Sequence, residues 1–296
     1  MARRPEAMAV LGRAVRTSQG ATGLVITGLV VLVAAIGPAV APYSSTQFVT
    51  APFARASSSA WLGGDILGRD VLSRTLDGGW ELLAMAAIAT ALGVVVGAVL
   101  GVMAAYYGGW WDSVIMRAVD VILAFPQLVF ALLLVSILGP KIWLIVLAVA
   151  ISHMPQVARV ARSAALDISE RDYVKAMQIL GIPSRRIIRR DVMPNLTSVL
   201  MVEIGLRLTY SMLIIAGLSF LGFGLQPPAA SWGLMINENR VGLIANPWGV
   251  LMPAILIALF TIGVNTFTDA VARASLGVGG RATEPEPVAL VAREVA

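Results

Sequence analysis

The sequence has 296 residues, of which 58% are hydrophobic and 13% are charged, with a net charge of +5 and a mean hydropathy of +0.83. The charged fraction is about half that of a soluble domain, and the absence of cysteine together with a single histidine, His153, excludes disulfides, thiolate zinc sites and histidine-cluster metal sites. Because these ligand types are missing, we expect no bound metal. The basic residues flank apolar runs instead of lining a soluble face with aromatic residues, so we also expect no nucleic-acid binding.

The first apolar run predicts a membrane span. Residues 1–20 are polar and contain four arginines, and residues 24–41 are uncharged and long enough to cross a bilayer. A basic segment before an apolar run is also typical of a signal peptide. This run, however, is long, lacks a strong small-residue cleavage site and is followed by further apolar runs. We therefore expect a retained helix that begins in the cytoplasm, where residues 1–20 also lie.

Residues 42–80 are predicted to form an external loop, because their acidic and basic side chains show no cationic bias. By pattern alone, the charged part of this loop suits an amphipathic helix at the membrane surface. Leu67, Val71 and Leu72 would then enter the lipid, and the charged side chains would point outward.

The second span is predicted over residues 82–107, where Gly93, Gly97 and Gly101 recur at four-residue intervals. Small residues at that spacing let helix backbones approach closely. This face is therefore expected to pack within the helix bundle or against a partner subunit.

The third span is predicted over about residues 114–138. Arg117 and Asp120, in its first turns, are expected to pair at the cytoplasmic edge. Pro126 interrupts the helix near mid-membrane and frees backbone carbonyl groups. Two interpretations of this proline stay open: a tolerated kink, or a bend beside a water-filled path through the membrane.

The fourth span is predicted over residues 142 to about 158. His153, near its end, is expected to be a hydrogen-bonded interfacial residue instead of a proton relay. The following loop, residues 159–195, contains eight cationic residues, the densest cluster in the chain. The positive-inside rule places this loop in the cytoplasm, and counting spans from it places both termini there.

A charge pair lies within the fifth predicted span, residues 196 to about 218. Glu203 precedes Arg207 by one helical turn, which is the favourable order for pairing. Charges inside a span normally face a bundle interior or a cavity. We therefore hypothesise that Glu203 and Arg207 face a path through the membrane or a partner subunit. Under the second interpretation of Pro126, that residue would lie beside the same path.

The sixth span is predicted over residues 241–268, and residues 277–296 form a Pro/Glu-rich tail that we expect to be disordered and cytoplasmic. Neither lysine, Lys141 or Lys175, follows a glycine, so the sequence contains no Walker A loop for ATP. It also lacks the GxSxG and HExxH motifs. We expect no enzymatic activity and no cofactor bound by this chain.

The residues that begin and end helices predict two short helices joined by a turn in the basic loop. Ser169 with Asp172 three residues later is a capping-box pattern, which predicts a helix from Glu170. Gly181 suits the left-handed residue that ends a helix, and Pro183 prevents its continuation. A second, arginine-rich helix is predicted to follow.

Five positions of this loop occur in a recognisable order: Ala176, Gly181, Ile187, Pro194 and Asn195. They resemble the EAA loop of ABC-importer permeases, a coupling helix that inserts into a cleft of a cytoplasmic ATPase subunit. Met177, where a second alanine is usual, and Asp191, where a histidine is common, depart from that pattern. The resemblance implies these ATPase-coupling residues: Tyr173, Lys175, Ala176, Met177, Gly181, Ile187 and Pro194.

Two external segments resemble dipeptide and oligopeptide permeases of the C type. The first is similar to their WLGTD-xx-GRD-x-xSR segment and includes Trp61, Gly68, Arg69 and Asp70. The second, in the predicted external loop 219–247, is similar to their LSFLGLG-xQPP-xxSWG block and includes Leu218, Ser219, Phe220 and Gly222. By pattern alone, the glycines and prolines of the second segment predict a compact, non-helical crossover.

These resemblances imply an all-α, polytopic membrane protein with about six transmembrane helices, whose permease domain is residues 21–276. The implied function is that of a permease subunit of an ATP-driven importer for dipeptides or oligopeptides in a bacterial plasma membrane. Expected partners are a homologous permease, two ATPase subunits (or one fused chain) that bind ATP and Mg, and an extracytoplasmic solute-binding protein. Import of nickel or another small solute, and an ion-gradient-driven secondary transporter, are the alternatives.

Overall fold

The computed structural model describes residues 6–276, so the predicted disordered tail, residues 277–296, lies outside the described residues. Within the described part the chain is helical, and isolated bridges at Phe48–Arg69 and Gly64–Asp70 are its only strand-like pairings. The all-α prediction is therefore confirmed. The helices are α1 Glu6–Arg16, α2 Ser18–Val40, α3 Val71–Asp77, α4 Trp80–Tyr107, α5 Gly109–Leu123, α6 Gln127–Leu138, α7 Ile142–Ser169, α8 Asp172–Ile179, α9 Ser184–Ile187, α10 Met193–Asn195, α11 Thr197–Phe220, α12 Trp232–Asn239 and α13 Trp248–Ser275, with a π-helical turn at Ile188–Val192 and a 3-10 turn at Arg240–Gly242.

The number of spans agrees with the prediction of about six. In the described part of the chain, five helical stretches are long and apolar enough to cross a membrane, and the bent pair α5–α6 supplies a sixth. The first span, α2, begins where the hydroxyl of Thr17 accepts a hydrogen bond from the Gly20 N–H at 3.0 Å. Such a cap satisfies one of the free N–H groups of a helix start.

The third predicted span is not one kinked helix. α5 ends at Leu123, α6 begins at Gln127, and the two helices are bent by 84°. Pro126 adopts an extended conformation (φ −57°, ψ 131°), has no N–H to donate, and disfavours a helical conformation for Phe125. Pro126 is therefore a break between two helices. α6 has only 12 residues, a length of about 18 Å.

Further differences from the predictions concern α7, α13 and the N-terminal segment. α7 continues to Ser169 instead of ending near residue 158, because charged residues end the apolar run without ending the helix. His153 consequently lies within a helix and is fully buried, so its predicted interfacial position is wrong. α13 begins at Trp248 instead of residue 241. The N-terminal segment contains a helix that the sequence analysis missed, α1, whose Val10 packs on α13.

Helices α4 and α7 pack closely against each other in the core. The glycines at positions 93, 97 and 101 face the backbone of α7, and a Cβ atom added at any of them would lie within 2.9 Å of an α7 carbonyl oxygen. Only a residue without a Cβ permits this approach. The predicted small-residue face therefore packs within the subunit.

Replacing Gly97 by leucine is expected to lower the free energy of unfolding by about 2 kcal/mol, because overpacking displaces the neighbouring backbone. The new Cβ would lie 2.6 Å from the Met154 carbonyl oxygen and 2.8 Å from Val157 Cβ. Gly28→Leu in α2 is the matched control, since nothing lies within 4 Å of its Cβ position. Thermal unfolding in detergent measures both variants, and equal midpoints would contradict this description of the packing.

Candidate functional site

In the basic loop, residues 159–195, helix α8 ends at a glycine turn, as the sequence predicts. Gly181 has φ 71° and donates its N–H to the Gln178 carbonyl oxygen at 3.0 Å. Ile182 donates to the Met177 carbonyl oxygen at 3.1 Å. These two hydrogen bonds form a Schellman motif, which glycine favours because the conformation is left-handed. The motif turns the chain from α8 into α9.

The start of that helix differs from the prediction. α7 continues to Ser169, and α8 begins at Asp172 after Arg171, without a side-chain cap. The predicted capping box is wrong because only two residues separate the helices, so Ser169 still belongs to the last turn of α7. The predicted second helix is α9, which continues through the π-helical turn Ile188–Val192 towards Pro194.

One face of the loop is buried against the adjoining ends of α4 and α7. In residues 172–196, which follow α7, the fully buried side chains are Val174, Ile187, Val192 and Leu196. They form one hydrophobic cluster with these residues of α4 and α7: Val102, Ala105, Ala165 and Ile168. We call this cluster the loop base. Because interiors packed in this way transmit displacement instead of absorbing it, the loop and these helix ends are expected to move together.

The opposite face of the loop carries an exposed apolar tip, Ile179 and Leu180. Ile179 is 86% exposed and Leu180 is 77% exposed. Exposed apolar surface of this kind marks an interaction site when it is contiguous. The sequence does not indicate this tip, because Leu180 lies at helical spacing from Tyr173, Ala176 and Met177, a pattern that predicts one shared apolar face.

The predicted ATPase-coupling residues divide between the two faces. The exposed ones are Tyr173, Lys175, Ala176, Gly181 and Pro194. Ile187 belongs to the loop base, and Met177 is partly buried beside it. The exposed face is also strongly basic, through Arg185, Arg186, Arg189 and Arg190. The loop therefore presents an apolar tip on a cationic surface.

The charged side chains of the predicted amphipathic segment, Asp65, Arg69, Asp70 and Arg74, are buried, so the predicted surface amphipathic helix is wrong. Asp65 Oδ2 lies 2.6 Å from Arg69 Nε and 2.5 Å from Arg74 Nη1. Glu238 Oε2 lies 2.7 Å from Arg74 Nη1 and 3.1 Å from Arg69 Nη2. We call these four residues the buried charge cluster. Two carboxylates and two guanidinium groups neutralise each other, which makes their burial tolerable.

The other residues of the first external motif shape the loop around this cluster. Asp70 caps α3 by accepting a hydrogen bond from the Ser73 N–H at 2.8 Å. Gly68 has φ 80°, a conformation that favours glycine. Trp61 is 70% exposed. The motif therefore supplies a cap, a turn and an exposed aromatic side chain.

The second external motif packs onto the first. Its four predicted residues lie at the end of α11 and in the turn after it: Leu218, Ser219, Phe220 and Gly222. The predicted non-helical crossover is only partly right, because residues 221–231 form turns whereas α12 is a helix. The buried Trp232 of α12 donates its indole N–H to the Thr75 carbonyl oxygen at 2.8 Å. This hydrogen bond therefore joins α12 to α3 and holds the two external segments in contact.

More than half of the chain matches a known family. Residues 93–276 match the family described as binding-protein-dependent transport system inner membrane component. The chain belongs to this family. Among its relatives are two glutathione transport system permease proteins named GsiD. The protein from Pectobacterium atrosepticum is 37% identical over 72% of this chain and 71% of its own length. The protein from Escherichia coli strain 536 is 34% identical over 86% of this chain and 84% of its own length.

Membership confirms that the chain is a permease of a binding-protein-dependent ABC importer and a multi-pass inner-membrane protein. A permease of this family is a transport subunit and not itself catalytic. It operates together with a partner permease, ATPase subunits and a solute-binding protein.

The permease buries its predicted charge pair between α11 and α7. Glu203 Oε2 lies 3.0 Å from Arg207 Nε, and Arg207 also donates to Gln156 of α7. Glu203 and Arg207 are 6% and 8% exposed, whereas Tyr210, whose ring centroid lies 5.6 Å from the guanidinium carbon of Arg207, is 48% exposed. Pro126 is exposed at the α5–α6 bend. Whether these residues also face the pathway or the partner permease stays a prediction.

Replacing Glu203 alone by leucine is expected to cost more stability than replacing Glu203 and Arg207 together. The single change leaves an unpaired cation inside a span, which costs about 2.5–3.5 kcal/mol, whereas the double change leaves none. Thermal unfolding in detergent compares the variants. Equal midpoints would contradict the buried pair, and unchanged uptake and assembly in the double variant would contradict a pathway role.

Two ion pairs join α5 to α7 in place of the predicted pair of Arg117 with Asp120. Asp120 lies 2.5 Å from Arg159. Asp112 accepts hydrogen bonds from Nε and Nη2 of Arg162 at 2.5 and 2.6 Å. Among the described residues Arg117 makes no ion pair, and its side chain is exposed. The local prediction failed because the competing arginines lie on another helix, about 40 positions further along the chain.

Proposed function

We propose that this permease forms half of the translocation pathway of an ATP-driven importer for peptide-like solutes, and that residues 159–195 couple it to a cytoplasmic ATPase. The observation that carries the proposal is the two-faced loop. Its inner side is packed into the loop base, and its outer side presents Ile179 and Leu180. A partner that covers this tip would gain apolar burial at a fixed position on the subunit.

The proposed mechanism is alternating access. Closure of the ATPase dimer on ATP and Mg displaces the loop, and the loop base carries the ends of α4 and α7 with it. The energy comes from the different affinity of ATP for the two states of the partner. The ATP-binding site belongs to that partner, since this sequence has no Walker A loop.

The proposed orientation places both chain ends and residues 159–195 in the cytoplasm. The eight cationic residues of the loop support it. Residues 42–80 and 219–247 then form one external cap, held by the buried charge cluster, on the side where a solute-binding protein approaches. This orientation also puts ATP and imported solute on the same side as the loop.

The proposed substrate class is a small peptide, because two relatives are named as glutathione transport permeases. The choice among peptides would lie mainly in the binding protein. Reconstitution of the full importer in liposomes, with uptake of radiolabelled glutathione and of a dipeptide, tests the proposal. Uptake is expected only with ATP, the ATPase subunits and a binding protein. Uptake driven by an ion gradient without the ATPase would instead identify a secondary transporter.

A further inference from the structure

Helix α5 is held to the rest of the subunit in an unusual way. Of its described residues, only Val119 is buried. The helix is entered through Gly108 and Gly109, at φ 61° and 53°, and nothing lies within 4 Å of either Cβ position. It ends in the 84° bend to α6. Few apolar side chains of α5 are therefore buried within the subunit, and the chain changes direction at both ends of this helix.

Two ion pairs supply the missing attachment. Asp112 meets Arg162 in a two-point contact, which is the most directional form of a carboxylate–guanidinium pair. Asp120 meets Arg159 at the other end of the same helix. Both pairs are partly exposed in the isolated subunit, with side-chain exposures of 25–32% and 56–57%. Two contacts separated along α5 fix its direction relative to α7, which a single contact would not.

The arginines of these pairs lie on the last part of α7, which forms the start of the basic loop, residues 159–195. Arg159 and Arg162 precede Ala165 and Ile168, which belong to the loop base. At its other end α5 leads into α6, whose first residue, Gln127, donates to a carbonyl oxygen of α7 at 3.2 Å. A chain of contacts thus joins the loop base, α5 and the α5–α6 bend.

We propose that Asp112 and Asp120 are positioning residues for energy coupling. They bind α5 to α7, so that a displacement of the loop base is passed through α5 to the bend at residues 124–126 and to α6. The inference rests on the proposed function, since it requires that an ATPase move the loop. The glycines at the start of α5 permit the change of chain direction there. The two-point Asp112–Arg162 pair is the more directional contact, whereas the more exposed Asp120–Arg159 pair contributes less.

A charge exchange in the full importer tests this role. Asp112→Arg alone is expected to lower the solute imported per ATP hydrolysed about tenfold, the effect of about 1.4 kcal/mol of lost coupling. Asp112→Arg with Arg162→Asp restores the pair in reverse and is expected to recover at least half of that ratio. Arg117→Gln, an exposed change on the same helix, is the matched control and should leave the ratio unchanged. ATPase binding should be normal in every variant.

A distance measurement provides a readout independent of transport. The chain has no cysteine, so Ser113→Cys on α5 and Asp167→Cys on α7, both exposed positions, place two spin labels. We expect one narrow distance with and without ATP, and a broadened distribution after Asp112→Asn with Asp120→Asn. A distance that changes with ATP in the otherwise unaltered chain, or variants that couple normally, would overturn the tether alone. Failure of the unaltered chain to bind any ATPase would overturn the proposed function and the tether together.

Discussion

Replacing Ile179 and Leu180 together by aspartate is expected to reduce ATP-dependent uptake by at least about a hundredfold, the effect of losing about 2.7 kcal/mol at a hot spot. Both side chains are more than three-quarters exposed in the subunit. Their replacement therefore breaks few internal contacts, so insertion and folding are expected to be unchanged. Carboxylates at the tip cannot be buried in an apolar cleft without a large desolvation cost.

The matched control keeps the apolar chemistry and alters only the shape. Exchanging the two residues, Ile179→Leu with Leu180→Ile, preserves size and hydrophobicity and is expected to retain most uptake. Pull-down of the ATPase subunit and uptake in liposomes are measured for both variants. Full uptake in the aspartate variant would show that the tip is not a coupling contact.

Replacing Arg74 by methionine is expected to lower the free energy of unfolding by about 4 kcal/mol, because breaking a buried ion pair leaves a charge uncompensated. Arg74 is fully buried and contacts both carboxylates of the buried charge cluster, Asp65 at 2.5 Å and Glu238 at 2.7 Å. Without it, two carboxylates share Arg69 alone. The external cap should then lose one of its attachments between residues 42–80 and α12, whereas the Trp232–Thr75 and Arg69–Glu238 contacts remain.

Removing the carboxylate that Arg74→Met leaves without a partner tests whether charge imbalance causes the loss of stability. Arg74→Met with Glu238→Gln leaves the Asp65–Arg69 pair balanced, at 2.6 Å, and is expected to recover part of the loss. Arg55→Met, in the same loop but exposed, is the control and should unfold like the unaltered protein. Thermal unfolding of the purified protein in detergent measures all three variants. A normal midpoint for Arg74→Met would contradict the cluster's structural role.

Local features of this fold were predictable where the chemistry of one residue decides the backbone. Gly181 ends α8 in a left-handed conformation, as glycine before a proline indicates. The glycines around Gly97 pack against α7, as their spacing indicates. The residue order from Ala176 to Asn195 was sufficient to identify the family, since it depends on motif and not on tertiary contacts.

Features that depend on distant partners were not predictable. Glu238 completes the buried charge cluster from a position 164 residues beyond Arg74, and without it the external charges resemble a surface helix. Pro126 marks where a helix breaks, but the 84° angle depends on packing. Leu180 fits an apolar helical face by spacing, yet the helix ends before it and leaves it exposed.

A single cysteine at position 180 tests the central proposal most directly, because the natural chain contains none. In the assembled importer, Leu180→Cys is expected to crosslink to an ATPase subunit, with a yield that changes when ATP binds. In the permease produced without ATPase subunits, a membrane-impermeant thiol reagent is expected to label this cysteine in inverted vesicles and not in intact cells. Labelling from outside the cell, or no crosslink to any ATPase in vesicles that import the solute, would contradict the account.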